Sequence, residues 1–341
     1  MKNKILLLVS LSFIIFVCFY NINITVEIVN KSINVFIKFL LPYIFPFMLL
    51  IQLFIKLKGG DLLTYFLQYP AYYLTRFKPY QTLSLFICLL SGYPTNSMYL
   101  ETLYKDGKIN KNDALNFIYL ASFPTIYFVL GSLNKTLNNP LVCKLIFLSI
   151  FSSGFLILKR DKNPFIPLTK SKLSNTLNSY DFKDVLSMLK DTISTSILSL
   201  LNIFSTYIFY SILSGIIQYI FPYQITTFLC SFLEFSNGTF SIAEMNINEL
   251  LKFNLIIVIL SIGSLSILTQ IESNLKYLKL NYKAYFYLKI KHAFFACLIF
   301  NLFYIFFIIW SFLFPYLYIL DVNPSRSNGD RFASISNTKY A

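Results

Sequence analysis

Charge is what this sequence has least of. Charged residues make up 13% of the 341-residue chain, where soluble domains carry about 25%. With 56% hydrophobic residues beside so little charge, the chain cannot clothe a water-facing surface, which excludes a soluble domain with one anchor. Histidine is scarcer still, since His292 is the only one. A single histidine cannot build a HExxH zinc site, and neither a GxSxG elbow nor a phosphate-cradling GxxxxGK occurs. The five cysteines (Cys18, Cys88, Cys143, Cys230, Cys297) sit in apolar runs without a CxxC pair. They read as small packing residues, with no support for a disulfide or metal framework. The chain is therefore expected not to be an enzyme, with no catalytic residues, no cofactor and no metal.

Acids are also few, 15 against 29 Lys and Arg, for a net charge of +14. Such an excess can mark a nucleic-acid binder. Here the bases lie between apolar runs and form no single patch, so no nucleic-acid partner is expected and the bases read as topology signals. What remains is apolar and aromatic, with 37 Phe and 25 Tyr. That suits lipid-facing surfaces with interfacial tyrosines. An all-α polytopic membrane protein is the expected class. The abundance of Lys, Asn, Ile, Phe and Tyr is the bias that AT-rich coding produces, which points to a low-GC bacterium.

One stretch organises the rest. In residues 82–104 an apolar run, Leu83 to Leu90, stops at Ser91-Gly92-Tyr93-Pro94, and Thr95, Asn96 and Ser97 follow. Eight residues at about 1.5 Å each cannot cross a hydrocarbon core of roughly 30 Å. Gly92 can turn where other residues cannot, and Pro94 offers no N–H. Two half-helices meeting at a polar tip, a re-entrant hairpin, account for this best; one kinked spanning helix is the alternative. Freed backbone groups there must be satisfied within protein or in a polar cavity.

Around it, Ile5–Tyr20 follows Lys2 and Lys4 and lacks a small-x-small cleavage site, so it reads as an uncleaved span. Residues 32–57 form a second span, and 61–80 an interfacial helix. Residues 114–137 break at Ala121-Ser122-Phe123-Pro124-Thr125, and Leu141–Leu158 is a full span. Beyond a hydrophilic linker, the order returns. Ile193–Ile220 spans, 224–245 breaks at Ser236-Asn237-Gly238-Thr239, Leu250–Ile271 is interrupted at Gly263-Ser264, and Ala293–Tyr318 spans. The expected units are an anchor (1–30), a first half (31–158), a linker with an amphipathic helix (159–192), a second half (193–320) and a disordered polar tail (321–341). Placing the N-terminus in the cytoplasm puts most of the 29 Lys and Arg on that side. The two halves then run in opposite directions, as the inverted repeats of carriers do.

Several blocks together resemble one family. LPYIFPFMLLIQLFI (41–55), SGYPTNSMYLETLYKDGKIN (91–110) and ASFPTIYFVLGSL (121–133) precede FLEFSNGTFSIAE (232–244), GSLSILTQIES (263–273) and LKIKHAFFACLIF (288–300). Their order and spacing are similar to those of the YlbJ-type sporulation integral membrane proteins, which carry the Gate or nucleoside-recognition domain. The resemblance covers roughly residues 32–315. It implies a nucleoside-transporter-like Gate fold with inverted halves, and a role in spore cortex formation in the cell membrane of a spore-forming bacterium. Where the family has Gly-Ala-Lys after its turn, this chain has Asn96, Ser97 and Met98, so a lysine charge is missing. The basic residue before the family's histidine appears as Lys289 or Lys291.

The candidate solute site comprises Gly92, Pro94, Thr95, Asn96 and Ser97 at the first tip, with Ser122 and Thr125 at the next break. Glu234, Asn237, Gly238 and Thr239 mirror them, and Gln270, at a family position, follows the Gly263 break. These polar groups either line a site or satisfy backbone freed where helices stop. An ionisable residue within a span is costly and usually faces an interior, which raises Glu234 among them. His292 reads as an interfacial group at a basic helix entrance, or else as a proton-coupling group. The expected partners are the lipid bilayer, a small polar solute, and either a second copy or sporulation membrane proteins. Two functions are carried forward, a solute carrier or permeation pathway and a non-transporting scaffold that recruits cortex-assembly partners.

Overall fold

The helices follow the apolar runs, and several stop at glycine, proline or small polar residues, although Pro46 and Pro70 lie inside helices. The computed structural model describes residues 2–158, 165–170 and 182–313. Among them there is no strand. Five helices are long and apolar enough to cross a membrane: Ile22–Lys56, Pro140–Ile157, Lys183–Ile220, Glu249–Asn274 and Tyr282–Trp310. This is the make-up of an all-α multi-pass membrane protein.

The first half opens with α1 (Lys2–Tyr20) and α2 (Ile22–Lys56). Only Asn21 separates them, and the ladder continues past it, with Asn21 N donating to Val17 O and Thr25 N to Asn21 O, each at 3.0 Å. The second span thus begins at Ile22, ten residues earlier than the sequence suggested, and runs through the expected 30/31 boundary. A π-helical stretch, Phe36–Leu40, widens α2 just before Pro42. Next comes α3 (Gly59–Thr75). It buries its polar face (Asp61, Thr64, Gln68) and exposes Phe66, Tyr69, Tyr73 and Leu74, the inverse of a soluble amphipathic helix. Asp61 accepts both hydrogen bonds from Lys108 Nζ, at 2.7 and 2.9 Å.

Two short helices follow, α4 (Pro79–Ser91) and α5 (Thr95–Lys105), packed on each other about Gly92. Then come α6 (Lys111–Leu120), an unwound stretch, α7 (128–137) and α8 (Pro140–Ile157). Asn110 and Asn139 cap α6 and α8, accepting from Asp113 N and Val142 N.

Residues 182–313 follow a similar order, without a counterpart of α3. A long helix, α9 (Phe182–Ile220), takes in both the amphipathic segment and the span that the sequence divided at 192. The pair α10 (Gln224–Cys230) and α11 (Phe235–Glu244) is followed by α12 (Glu249–Ile262), a break at Gly263, and α13 (Leu265–Asn274). The last helix is α14 (Tyr282–Leu313), which begins eleven residues before the expected span. Residues 159–164, 171–181 and the polar tail lie outside the described residues.

Each short-helix pair seats its turn on the break that follows it. Gly92 has φ +57°, and a Cβ there would come within 2.6 Å of Thr125 Cγ2 and 2.8 Å of Thr125 N. Beside it Tyr93 N donates to Phe123 O at 3.1 Å. In the second half Leu265 N and Ser266 N donate to Phe232 O and Leu233 O, at 2.8 and 3.1 Å. The free N-terminal amides of α13 are thus satisfied by the turn carbonyls of the preceding pair. Backbone released by the breaks is paired within protein, which an apolar surround requires.

Candidate functional site

The two turns meet. The rings of Tyr93 and Phe235, one residue beyond Gly92 and Glu234 respectively, stand edge to face with centroids 5.1 Å apart. Around them lies a small cavity, about 40 Å³, lined by Pro94, Thr125, Glu234, Ser236 and Gln270 and walled by aromatic side chains. Space of that size holds a few waters at most.

Its polar groups are only partly satisfied. Gln270 Nε2 donates to Thr206 Oγ1 at 2.7 Å and to Ser266 Oγ at 3.1 Å, while its Oε1 is buried without a partner. Tyr93 Oη is likewise buried and unpaired. Glu234 caps α11, its Oε2 accepting from Asn237 N at 2.7 Å. This buried side chain, 1% exposed, thus spends one oxygen on the N-cap of α11.

Two further pockets adjoin this cavity. One, about 460 Å³, is lined by Glu27, Lys31, Ser211, Ser214, Asn237 and Glu244 among others. The second, about 10 Å³, lies between Pro94, Thr95, Ser199, Asn202, Gln270 and Asn274. One face of α9 borders all three in succession. Ser199, Asn202 and Ile203 face the small pocket, Ile203 and Tyr207 the central cavity, and Ser211, Ser214, Gly215 and Gln218 the large pocket. From Ser199 to Gln218 is roughly 28 Å of helix, about the depth of a hydrocarbon core. The three spaces are therefore strung along the length of α9. Between the central cavity and the large pocket stands a closed polar link. Tyr207 Oη donates to Asn237 Oδ1 at 2.8 Å, and Asn237 Nδ2 donates to Ser211 Oγ at 2.9 Å.

The structure sorts the residues singled out in the sequence. Pro94, Thr125, Glu234 and Gln270 line the central cavity, Thr95 the small pocket and Asn237 the large one. Gly92 supports the turn. Ser97 Oγ donates to Pro94 O and receives Asn274 Nδ2 at 3.1 Å. Gly238 is a contact point, since a Cβ there would lie 2.1 Å from Ser231 Cβ, and Thr239 is buried in the same helix pair. Asn96 and Ser122 face away from the cavity, bonded to each other from Asn96 Nδ2 to Ser122 Oγ at 2.8 Å.

His292 is not an interfacial group, because it is fully buried. Its Nε2 lies 2.8 Å from Ile150 O, and the absence of a side chain at Gly154 lets α8 approach the ring. His292 belongs to the inward stripe of α14 that also carries Tyr285, Lys289, Ala296 and Phe300.

Two features escaped the sequence reading, and a third, Lys289, was named there without its place in the fold. The α9 stripe recurs every three or four residues within a serine-rich apolar run, a signal that was present in the text. Lys289 was visible as a basic residue three positions before His292, hence on the same helix face. The other that escaped is Glu101, which accepts the consecutive backbone N–H groups of Lys276, Tyr277 and Leu278. No local pattern announces that pairing. Comparison with family models, with curated proteins and with solved structures gives no match.

Proposed function

We propose that this chain is a carrier or permeation pathway for a small polar solute, acting in spore cortex formation in the cell membrane of a low-GC spore-forming bacterium. The observation that carries the transport reading is the central cavity, lined by the turns of both halves and holding the unpaired Gln270 Oε1 and Tyr93 Oη. Such atoms occur elsewhere in the fold as well, but two on residues lining one cavity are what a solute with hydrogen-bonding groups, or water, would satisfy. The in-line order of three pockets along α9 supports a path. In this reading the halves are inverted repeats of a Gate-type fold, and α4–α5 and α10–α11 are re-entrant hairpins entering from opposite sides. With the start of α9 on the cytoplasmic side, the 460 Å³ pocket opens away from the cytoplasm and the small pocket by Asn202 is the closed inner end. The sporulation role rests on the family resemblance alone.

A second reading has its own support. The central cavity is small and walled by Phe39, Tyr43, Phe128, Tyr207 and Phe235 besides Tyr93, as suits a plugged scaffold that recruits cortex-assembly partners. Deleting the gene in a sporulating host separates the two. A carrier leaves its solute accumulated on one side of the forespore membranes before the cortex fails. A scaffold leaves metabolite levels unchanged while partner proteins lose their localisation.

A further inference from the structure

A lysine in an apolar interior ordinarily lies against a carboxylate. Lys289 is 1% exposed, and no acidic side chain pairs with it among the described residues. Its Nζ donates instead to the main-chain carbonyl of Ser122, and the Tyr285 ring centroid lies 5.8 Å away. Ser122 stands two residues past the end of α6, in the unwound stretch. The last carbonyls of a helix lack partners and carry its partial negative charge. In transporters, carbonyls at such unwound segments are places where free cations such as Na⁺ bind. Here the group that reaches the carbonyl is a side-chain nitrogen.

The surroundings fit that role. Ser122 receives two groups at once, Lys289 on its carbonyl and Asn96 on its hydroxyl. Asn96 Oδ1 is buried beside them without a partner, so a further oxygen is available at the spot. The Asn96 amide also contacts Cys88 Sγ at 3.5 Å. One side-chain nitrogen thus ties α14 to the break after α6, and through Ser122 to the first short-helix pair. Lys289 is eight residues into α14, roughly 10 Å from its start, and its burial shows that it does not reach out to water.

We propose that the Lys289 ammonium is a tethered cation at the first helix break, filling the place where a free monovalent cation would otherwise neutralise the Ser122 carbonyl. The fold of this chain therefore needs neither Na⁺ nor K⁺, and truncating the lysine turns the position into a site for a small monovalent cation. This does not depend on whether any solute crosses. If the transport reading holds, flux is independent of sodium.

The test is thermal unfolding of the purified full chain in NaCl, KCl, choline chloride and propylammonium chloride at matched ionic strength. The wild-type midpoint should be the same in all four. Lys289→Ala should melt about 5 °C or more lower in choline, and recover part of that loss, saturably, with propylammonium, Na⁺ or K⁺. Lys289→Met fills the space without charge and should be destabilised in every salt without recovery. A saturable rise of the wild-type midpoint with Na⁺ or K⁺ overturns the proposal. So does a Lys289→Met chain as stable as wild type, or a Lys289→Ala chain that no cation restores. If neither variant accumulates, the wild-type salt series decides alone, because a cation-dependent midpoint overturns the tethered cation and a constant one supports it.

Discussion

Asn274, the last residue of α13, donates from Nδ2 to Ser97 Oγ at 3.1 Å and to Pro94 O at 3.2 Å. A residue at the end of the second half's broken helix therefore holds the turn of the first half's short-helix pair. Losing either side chain should loosen this tie. Asn274→Ala and Ser97→Ala should each cost about 1 kcal/mol, with a coupling of about 0.5–1.5 kcal/mol in the double-mutant cycle. Thermal unfolding in detergent measures it. Additive effects would mean that the two groups do not act on each other.

Glu101 makes a second bridge at the same end. Its carboxylate accepts three successive backbone amides at 276–278, a concave nest of the kind that binds anions. Glu101→Ala leaves those donors without their acceptor and should cost about 2–4 kcal/mol. Glu101→Gln keeps one acceptor oxygen and should cost less. Equal stability of the Ala variant and wild type would show that water reaches the segment.

Glycine substitutions separate close contact from conformation. Gly92→Leu must fit a side chain against Thr125 at a φ of +57°, and Gly238→Leu must displace Ser231. Both should fail to accumulate, or melt far below wild type. Gly107 has φ +67° with nothing within 4 Å of its Cβ direction, so Gly107→Ala should cost only about 1–2 kcal/mol. Normal accumulation of Gly92→Leu would show that the turn has another geometry in the membrane.

The breaks were legible because their causes are local. Gly92 and Pro94, the 121–125 stretch and Gly263-Ser264 interrupt apolar runs too short or too polar to continue. Helix continuity was harder to read. Asn21 resembles a terminus, yet hydrogen bonds carry through it, and Asp181–Asp191 reads as an amphipathic helix separate from the span although α9 runs unbroken from Phe182. The polar residues at the first tip read as one group. In the fold Thr95, Asn96 and Ser97, successive in sequence, point about 100° apart around α5, so each reaches a different neighbour. Lys289 and Glu101 find partners 167 and 175 or more residues away, beyond what spacing can reveal.

The sidedness expected from the charge distribution can be tested directly. In a chain freed of native cysteines, cysteine at Asn110 should be shielded from an impermeant thiol reagent applied to intact cells. Cysteine at Tyr223, exposed beyond the far end of α9, should be labelled. The reverse pattern would invert the assignment and place the large pocket on the cytoplasmic side.

The last prediction concerns the acid at the junction of the turns. Glu234 does two things at once, since it caps α11 through Asn237 N and lines the central cavity. Glu234→Gln retains an acceptor for the cap and removes the charge. Glu234→Leu removes both, and losing the cap alone should cost about 0.5–2 kcal/mol. A pathway that uses the carboxylate loses function in both variants, although the Gln chain stays folded. A scaffold that needs only a capped helix tolerates Gln and fails, in proportion to its lost stability, with Leu. The measurement is the count of cortex-positive spores at matched membrane abundance, with thermal midpoints taken on the same variants. Full sporulation with Leu would mean that neither the cap nor the charge is needed, and the cavity between the turns would then have no part in the function.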